Sequence, residues 1–182
     1  MTYYGGKEMA AAFRTVRDNT LKIAEEIPED KYSFKPANDS RSIGQTLTHI
    51  ALGPGFQLHI HGNKVSDMKT LNFPEMMKGV QAEEAKTRSK ADIIAFLKSE
   101  GDKFASFLEG LAEPFLAEHV TMPPGATPAS KTRFEMLLGA KEHEMHHRAQ
   151  LMTAQRMIGQ VNHLTRQMQE RFAQMAAAAA QK

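Results

Sequence analysis

Apolar residues recur at steps of three and four along five stretches of the chain, the spacing that places them on one face of an α-helix. The first stretch carries Met9, Phe13, Val16 and Ile23. The five stretches predict helices at about residues 6–26, from residue 42 onward, and at about 90–111, 131–158 and 164–180. No two segments alternate convincingly as paired strands. The pattern predicts an all-α fold, a four-helix bundle with an additional C-terminal helix.

Capping and breaking residues mark the ends of some of these helices. Ser42 is followed three residues later by Gln45, and Ser89 by Asp92, which is the spacing of an N-terminal capping box. Inside the second helix, the run Gly53-Pro54-Gly55 predicts a kink or an early stop, because proline removes a backbone donor.

Two connecting segments lack helical periodicity. Residues 62–88 are polar and predict a long loop or lid, a type of segment that often borders an active site. Residues 112–130 are rich in proline and glycine and predict a turn-rich connector with room for a short hairpin.

Length and composition favour one globular domain spanning residues 1–182, with the helix at about 164–180 as an extension. Charged residues make up 24% of the chain and hydrophobic residues 41%, which is typical of a soluble protein. We found no apolar run of the signal-peptide or membrane-spanning type, so we expect a cytoplasmic protein without a membrane partner. The formal net charge of +2 and the even mixing of charges argue against a nucleic-acid surface.

The chain contains no cysteine. This excludes disulfides, a cysteine nucleophile and thiolate metal ligands. Any bound metal ion must therefore be held by histidine and carboxylate side chains.

His143 and His147 are the most informative residues of the sequence. They are four residues apart, so they project from the same side of one helix and could bind one ion together. They also lie on the apolar stripe of that helix, whereas His146 is rotated by about 100° towards its polar side. The stripe consists of Met136, Ala140, His143, His147, Leu151, Ala154 and Ile158. We therefore expect His147, and not His146, to be the second ligand.

A third ligand must come from another part of the chain. His49, in the second predicted helix, is the best candidate. Burying imidazoles in an apolar stripe costs free energy unless their nitrogens find partners, and a divalent ion with outer hydrogen bonds would supply them. The alternative is that these are core histidines bonded to polar neighbours, with no metal.

Residues 143–147, HEMHH, also match the pattern HExxH of the zincin proteases. That pattern needs a third ligand downstream and a substrate-aligning strand, whereas His49 lies upstream. We therefore do not expect the protein to be a zincin protease.

Three segments resemble the DinB family of YfiT-like helical bundles, which are described as metal-dependent hydrolases or thiol transferases. They are IPEDKYSFKP at 27–36, SIGQTLTHIA at 42–51 and HEMHHRAQL at 143–151. The resemblance runs in family order from the first helix to about residue 159. It implies an up-up-down-down four-helix bundle, a divalent ion held by His49, His143 and His147, and a homodimer. The chain departs from the family in having no tryptophan and in carrying Ala149 where glycine is usual.

Three neutral imidazoles would leave a divalent ion, zinc or nickel, with an open position for water or substrate. We therefore expect a metal-dependent enzyme that acts on small molecules, as a hydrolase or as a transferase using a low-molecular-weight thiol. Glu144 is the candidate catalytic base, because it lies about 60° from His147 on the helix. The alternative is a non-catalytic metal- or ligand-binding stress-response protein.

Overall fold

The computed structural model describes residues 4–180. Seven helices and one short hairpin make up this part of the chain, together with single 3-10 turns at Glu29–Lys31 and Met68–Thr70. The helices are α1 (Gly6–Glu26), α2 (Ile43–Gly62), α3 (Phe73–Glu84), α4 (Lys90–Glu109), α5 (Glu113–Ala117), α6 (Arg133–Met157) and α7 (His163–Ala180). The strands are β1 (His119–Thr121) and β2 (Ser130–Thr132), paired antiparallel. Within residues 4–180, no helix is long and apolar enough to cross a membrane.

Helices α1, α2, α4 and α6 pack around one core, so the predicted all-α four-helix bundle with an additional C-terminal helix is confirmed. Lys90, at the start of α4, donates to the carbonyls of Glu25 and Ile27 at the end of α1, both at 2.7 Å. His61, at the end of α2, accepts from Arg133 at the start of α6. Helix α4 is therefore antiparallel to α1, and α6 is antiparallel to α2.

Helices α2 and α4 run in the same direction, since Gly44 and Ile93, near their starts, are in contact. In chain order the bundle runs up, down, down, up, which corrects the up-up-down-down order implied by the resemblance. The connections give the reason. The segment after α1 folds back, with Tyr32 Oη donating to the Ala24 carbonyl at 2.7 Å, so α2 starts where α1 ends. Helix α3 then carries the chain back along α2 to the start of α4.

The capping boxes at Ser42 and Ser89 are both present, as predicted. Residues 112–130 were expected to have room for a short hairpin, and a hairpin forms there as β1 and β2. The segment 62–88 differs from the prediction, because it contains α3 where a loop was expected. None of the residues of α3 is fully buried, and its apolar residues Phe73, Met77 and Val80 recur at helical spacing over only about two turns.

Helix α2 continues through Pro54, so of the kink or early stop expected there, the early stop does not occur. Proline leaves the carbonyl four residues earlier without its helical donor, and this carbonyl belongs to Ile50. Arg17 of α1 supplies the missing donor, since its Nη2 lies 3.3 Å from the Ile50 oxygen. A side chain from a neighbouring helix thus supports the interrupted ladder.

Arg17 makes a buried ion pair with Glu144 of α6 and also donates to the Leu97 carbonyl of α4. Its Nε lies 3.0 and 3.1 Å from the two carboxylate oxygens, and Nη2 lies 2.9 Å from Oε2. Gly101 makes room for this side chain, because a Cβ there would lie 2.9 Å from Arg17 Cγ. One arginine therefore bonds to all three of the other bundle helices.

The core lies on both sides of this ion pair. The cluster at one end contains Ile23, Ala24, Ile27, Tyr32, Ile43, Leu47, Ile50, Ala51, Ile93, Leu97, Leu151 and Ala154. The cluster at the other end contains Met9, Ala10, Phe13, Phe104, Ala105, Leu108, Leu116, Leu137 and Ala140.

A second buried polar group ties α2 to α6 at the hairpin end. His61 is 1% exposed. Its Nδ1 accepts from Arg133 Nη1 at 3.3 Å, and its Nε2 lies 3.0 Å from Gln57 Oε1. Because a guanidinium can only donate, these contacts require the neutral tautomer with hydrogen on Nε2. Burial, with the charge of Arg133, lowers the pKa of His61 to about 4.

The Arg17–Glu144 pair should give a non-additive stability effect. Removing either partner alone, in Arg17→Met or Glu144→Leu, leaves a buried charge unpaired and should cost about 3–5 kcal/mol of unfolding free energy. The double variant should cost less than the sum of the two, because no charge remains. Urea denaturation of the three variants measures this, and strictly additive losses would contradict the pairing.

Protonation of His61 should make stability depend on pH. Below about pH 6.5 the unfolded chain binds a proton at His61 that the folded chain excludes down to about pH 4. The free energy of unfolding should therefore fall over this range, by up to about 3 kcal/mol from this residue. Urea denaturation between pH 4.5 and 7.5 should show a shallower fall in His61→Gln. The exposed neighbour His59→Gln is the control, and parallel curves for all three proteins would refute the assignment.

Candidate metal centre

Three histidine side chains from two antiparallel helices converge on one point. His49 of α2 and His143 and His147 of α6 each offer a ring nitrogen, and these nitrogens all lie within 4.8 Å of one another. Nε2 of His49 is 3.0 Å from Nε2 of His143. An ion bound tetrahedrally at about 2.0–2.1 Å holds its ligand nitrogens about 3.3 Å apart, so this spacing suits a metal.

The register between α2 and α6 brings these rings together. Arg17 bonds to Ile50, the residue after His49, and to Glu144, the residue after His143. The arginine thus fixes the position of α2 relative to α6 along the bundle axis, at the level of the histidines.

Two of the rings are oriented by hydrogen bonds on the side away from this point. Nδ1 of His49 lies 2.5 Å from Oε1 of Glu84, at the end of α3, and Nδ1 of His147 lies 2.9 Å from Oε1 of Gln150. Such partners fix the tautomer and leave Nε2 free to bind an ion. Arg41 in turn donates to Glu84 at 3.0 Å.

The outer partners were not all predictable from sequence. Glu84 belongs to a helix that the sequence pattern did not predict. Gln150 lies three residues after His147 on the same helix, and this spacing could have identified it.

Gly53 packs directly against the third ring. A Cβ at this position would lie 3.1 Å from Nδ1 and 3.3 Å from Cε1 of His143. Gly53 therefore leaves room for the ring of His143, a candidate ligand.

The electrostatic surroundings favour neutral imidazoles at neutral pH. Burial, with smaller contributions from the other histidines of the group, lowers the pKa of His143 to about 4. Burial also lowers the pKa of His147, against the opposing hydrogen bond to Gln150. Burial raises the pKa of Glu84, but the hydrogen bonds from His49 and Arg41 outweigh it, and the net pKa is lowered. Neutral histidines beside an ionised carboxylate are the protonation states that metal binding needs.

His146 lies apart from the group of three. His146 is exposed on the outer face of α6, whereas His147 is buried. Its Nε2 lies 3.2 Å from the Gln150 side-chain nitrogen.

Glu144, the expected base, lies in the interior of the bundle and not in the group of three. Its side chain is 2% exposed, and both carboxylate oxygens accept hydrogen bonds from Arg17. The helical angle to His147 could not reveal this, because the partner lies 127 residues away in the sequence. The geometry favours a positioning role for Glu144 over proton transfer.

Two cavities flank the histidines, and they differ in character. One, of about 380 Å³, has His49 and His143 in an otherwise mostly apolar wall under α3. The other, of about 780 Å³, includes His147 and Glu84 in a mixed wall that combines Arg41, Asp39 and Gln81 with apolar residues such as Ile43 and Leu151. A small molecule could approach the three histidines from either side.

Comparison with known proteins identifies the family. The DinB superfamily model matches residues 12–151. YjoA of Bacillus subtilis (strain 168) is 27% identical over 152 residues, which are 84% of this chain and 90% of YjoA.

Solved structures share the fold. The crystal structure of YjoA, a DinB-like protein, aligns with a TM-score of 0.63 at 23% identity, over 85% of this chain and 94% of that one. YfiT from Bacillus subtilis aligns with a TM-score of 0.67 at 12% identity, over 87% of this chain and 90% of that one. YfiT is described as a probable metal-dependent hydrolase with an unusual four-helix bundle topology. Because the family model covers well over half of the sequence, including all three histidines, the chain belongs to the DinB superfamily.

Proposed function

We propose that the protein binds one divalent ion through His49, His143 and His147 and uses it in the hydrolysis of a small molecule. The observation that carries this proposal is the convergence of three ring nitrogens within 4.8 Å. The description of YfiT as a probable metal-dependent hydrolase supports the same chemistry.

The donor set suits a catalytic ion more than a structural one. Three histidines leave at least one position open, and such an ion would lower the pKa of a bound water towards about 7 and polarise a carbonyl. Neighbouring residues of the chain orient the ligands. Glu84 accepts the Nδ1 proton of His49, and Gln150 accepts that of His147, so both rings stay in one orientation.

Zinc and nickel are the ions we propose, because both accept imidazole ligands. Thiol transfer is the alternative reaction, in which the substrates are a low-molecular-weight thiol and an electrophile. A non-catalytic metal-binding protein is the second alternative. We also propose that the protein forms a homodimer, as its resemblance to the DinB family implies.

Each of the three histidines should be needed for metal binding. Native mass spectrometry of untagged protein after incubation with zinc or nickel should give one ion per chain, and two chains per particle if the dimer forms. His49→Ala, His143→Ala and His147→Ala should each lose the ion, because two imidazoles hold it more weakly. His146→Ala, the matched control on the same helix, should keep it. No ion in the wild type, or loss in His146→Ala, would refute the assignment.

Activity assays distinguish hydrolysis from thiol transfer. Metal-loaded wild type should hydrolyse members of an ester and amide panel, and both the metal-free protein and His49→Ala should not. Reaction only when a thiol and an electrophile are supplied together would select the transferase alternative. No reaction in either assay by fully loaded protein would select the non-catalytic alternative.

Glu84 should strengthen metal binding without touching the ion. Glu84→Gln replaces the carboxylate that accepts from His49, so the affinity for zinc should fall about 10–100-fold. Competition with a chromophoric chelator measures this loss. Glu83→Gln is the control, because Glu83 pairs with Lys86 and Arg88 and not with a histidine. Equal affinities for the two variants would contradict the role of Glu84.

A further inference from the structure

The smaller cavity beside the histidines is walled by three helices. It occupies about 380 Å³ between α2, α3 and α6, and His49 and His143 form part of its wall. The other wall positions include the apolar side chains Leu52, Phe56, Phe73, Met77, Val80 and Ala140. Its wall is therefore apolar next to the proposed reaction centre.

Two glycines line this space. Gly53 lies four residues after His49, and Gly139 lies four residues before His143, so each is one helical turn from a candidate ligand. A Cβ at Gly139 would meet nothing within 4 Å, and no contact there requires a glycine. Glycine inside a helix is less stable than alanine, so Gly139 keeps room in the cavity at the expense of helix stability.

Helix α3 forms the outer wall with a face that has no complete partner. Phe73, Met77 and Val80 recur at steps of four and three and all line the cavity. Phe73 is 50% exposed, although its ring packs edge-on against Phe56 at 6.0 Å. An apolar ligand would cover this face and bury it from water.

We propose that this cavity holds an apolar arm of the substrate, an alkyl or aryl group, with the reacting polar group at the His49 and His143 end. The proposal rests on the function proposed above and adds the substrate class. The larger cavity carries Arg41 and Asp39 beside its apolar residues, so it suits an entirely apolar arm less well.

Chain length of a bound inhibitor tests this directly. Straight-chain alkyl hydroxamic acids carry a metal-binding head, and calorimetry gives their affinity for the zinc-loaded protein. Each added methylene should tighten binding about fourfold until the cavity is full. Gly139→Leu should fill the space and abolish this increase, while Gly139→Ala, the matched control, should retain it.

A second variant keeps the test decisive if Gly139→Leu fails to fold. Met77→Gln places a polar group in the α3 wall, where no residue is fully buried, and should reduce the gain per methylene. Affinity that is independent of chain length in the wild type would overturn the proposal. An unchanged gain in folded Gly139→Leu and in Met77→Gln would overturn it too.

A parallel series separates this proposal from the metal site. Straight-chain alcohols have no metal-binding head, and their binding to the metal-free protein can be followed by NMR shifts of the α3 methyl groups. The same gain per methylene there supports the cavity even if no ion binds and the proposed function fails. Zinc binding without a gain in affinity per methylene in either series would overturn the proposed role of the cavity, but not the metal site.

Discussion

The placement of one arginine in the bundle core is the constraint on which the rest of the structure depends. Arg17 supplies the donor that Pro54 removes from α2, pairs with Glu144 of α6, and bonds to α4 at Leu97. A buried guanidinium requires such a full set of acceptors, because an unpaired charge in the core is costly. These requirements together permit one register of α2 against α6, and in that register the rings of His49 and His143 meet.

The site combines rigid and loosely held parts. The three histidines project from α2 and α6, two core helices, which suits the exact placement of ligands. Helix α3 has no fully buried residue, yet it contributes Glu84 behind His49 and the outer wall of the apolar cavity. Movement of α3 away from the bundle would therefore break the hydrogen bond to His49 and open the cavity together.

The sequence predicted those features that depend on local spacing. Periodic apolar residues and the capping boxes at Ser42 and Ser89 located the bundle helices to within a few residues. The four-residue spacing and the stripe favoured His147 over His146. The family resemblance supplied the helical bundle, but not the correct order of helix directions, which depends on how the segments after α1 and α2 fold back.

Features that depend on distant contacts could not be read from local patterns. Glu144 shares a helix face with the ligands, but Arg17, which engages its carboxylate, lies 127 residues away. The burial of His61 depends on its contact with Arg133, which lies 72 residues away in the sequence. Helix α3 was missed because its apolar residues recur over only about two turns, and Glu84 at its end was missed with it.

X-ray absorption spectroscopy of the zinc-loaded protein would identify and count the ligands of the ion. We expect three imidazole nitrogens at about 2.0–2.1 Å and at least one further light ligand from water. A spectrum without imidazole scattering, or with one imidazole among oxygen ligands, would place the ion elsewhere and contradict the three-histidine centre.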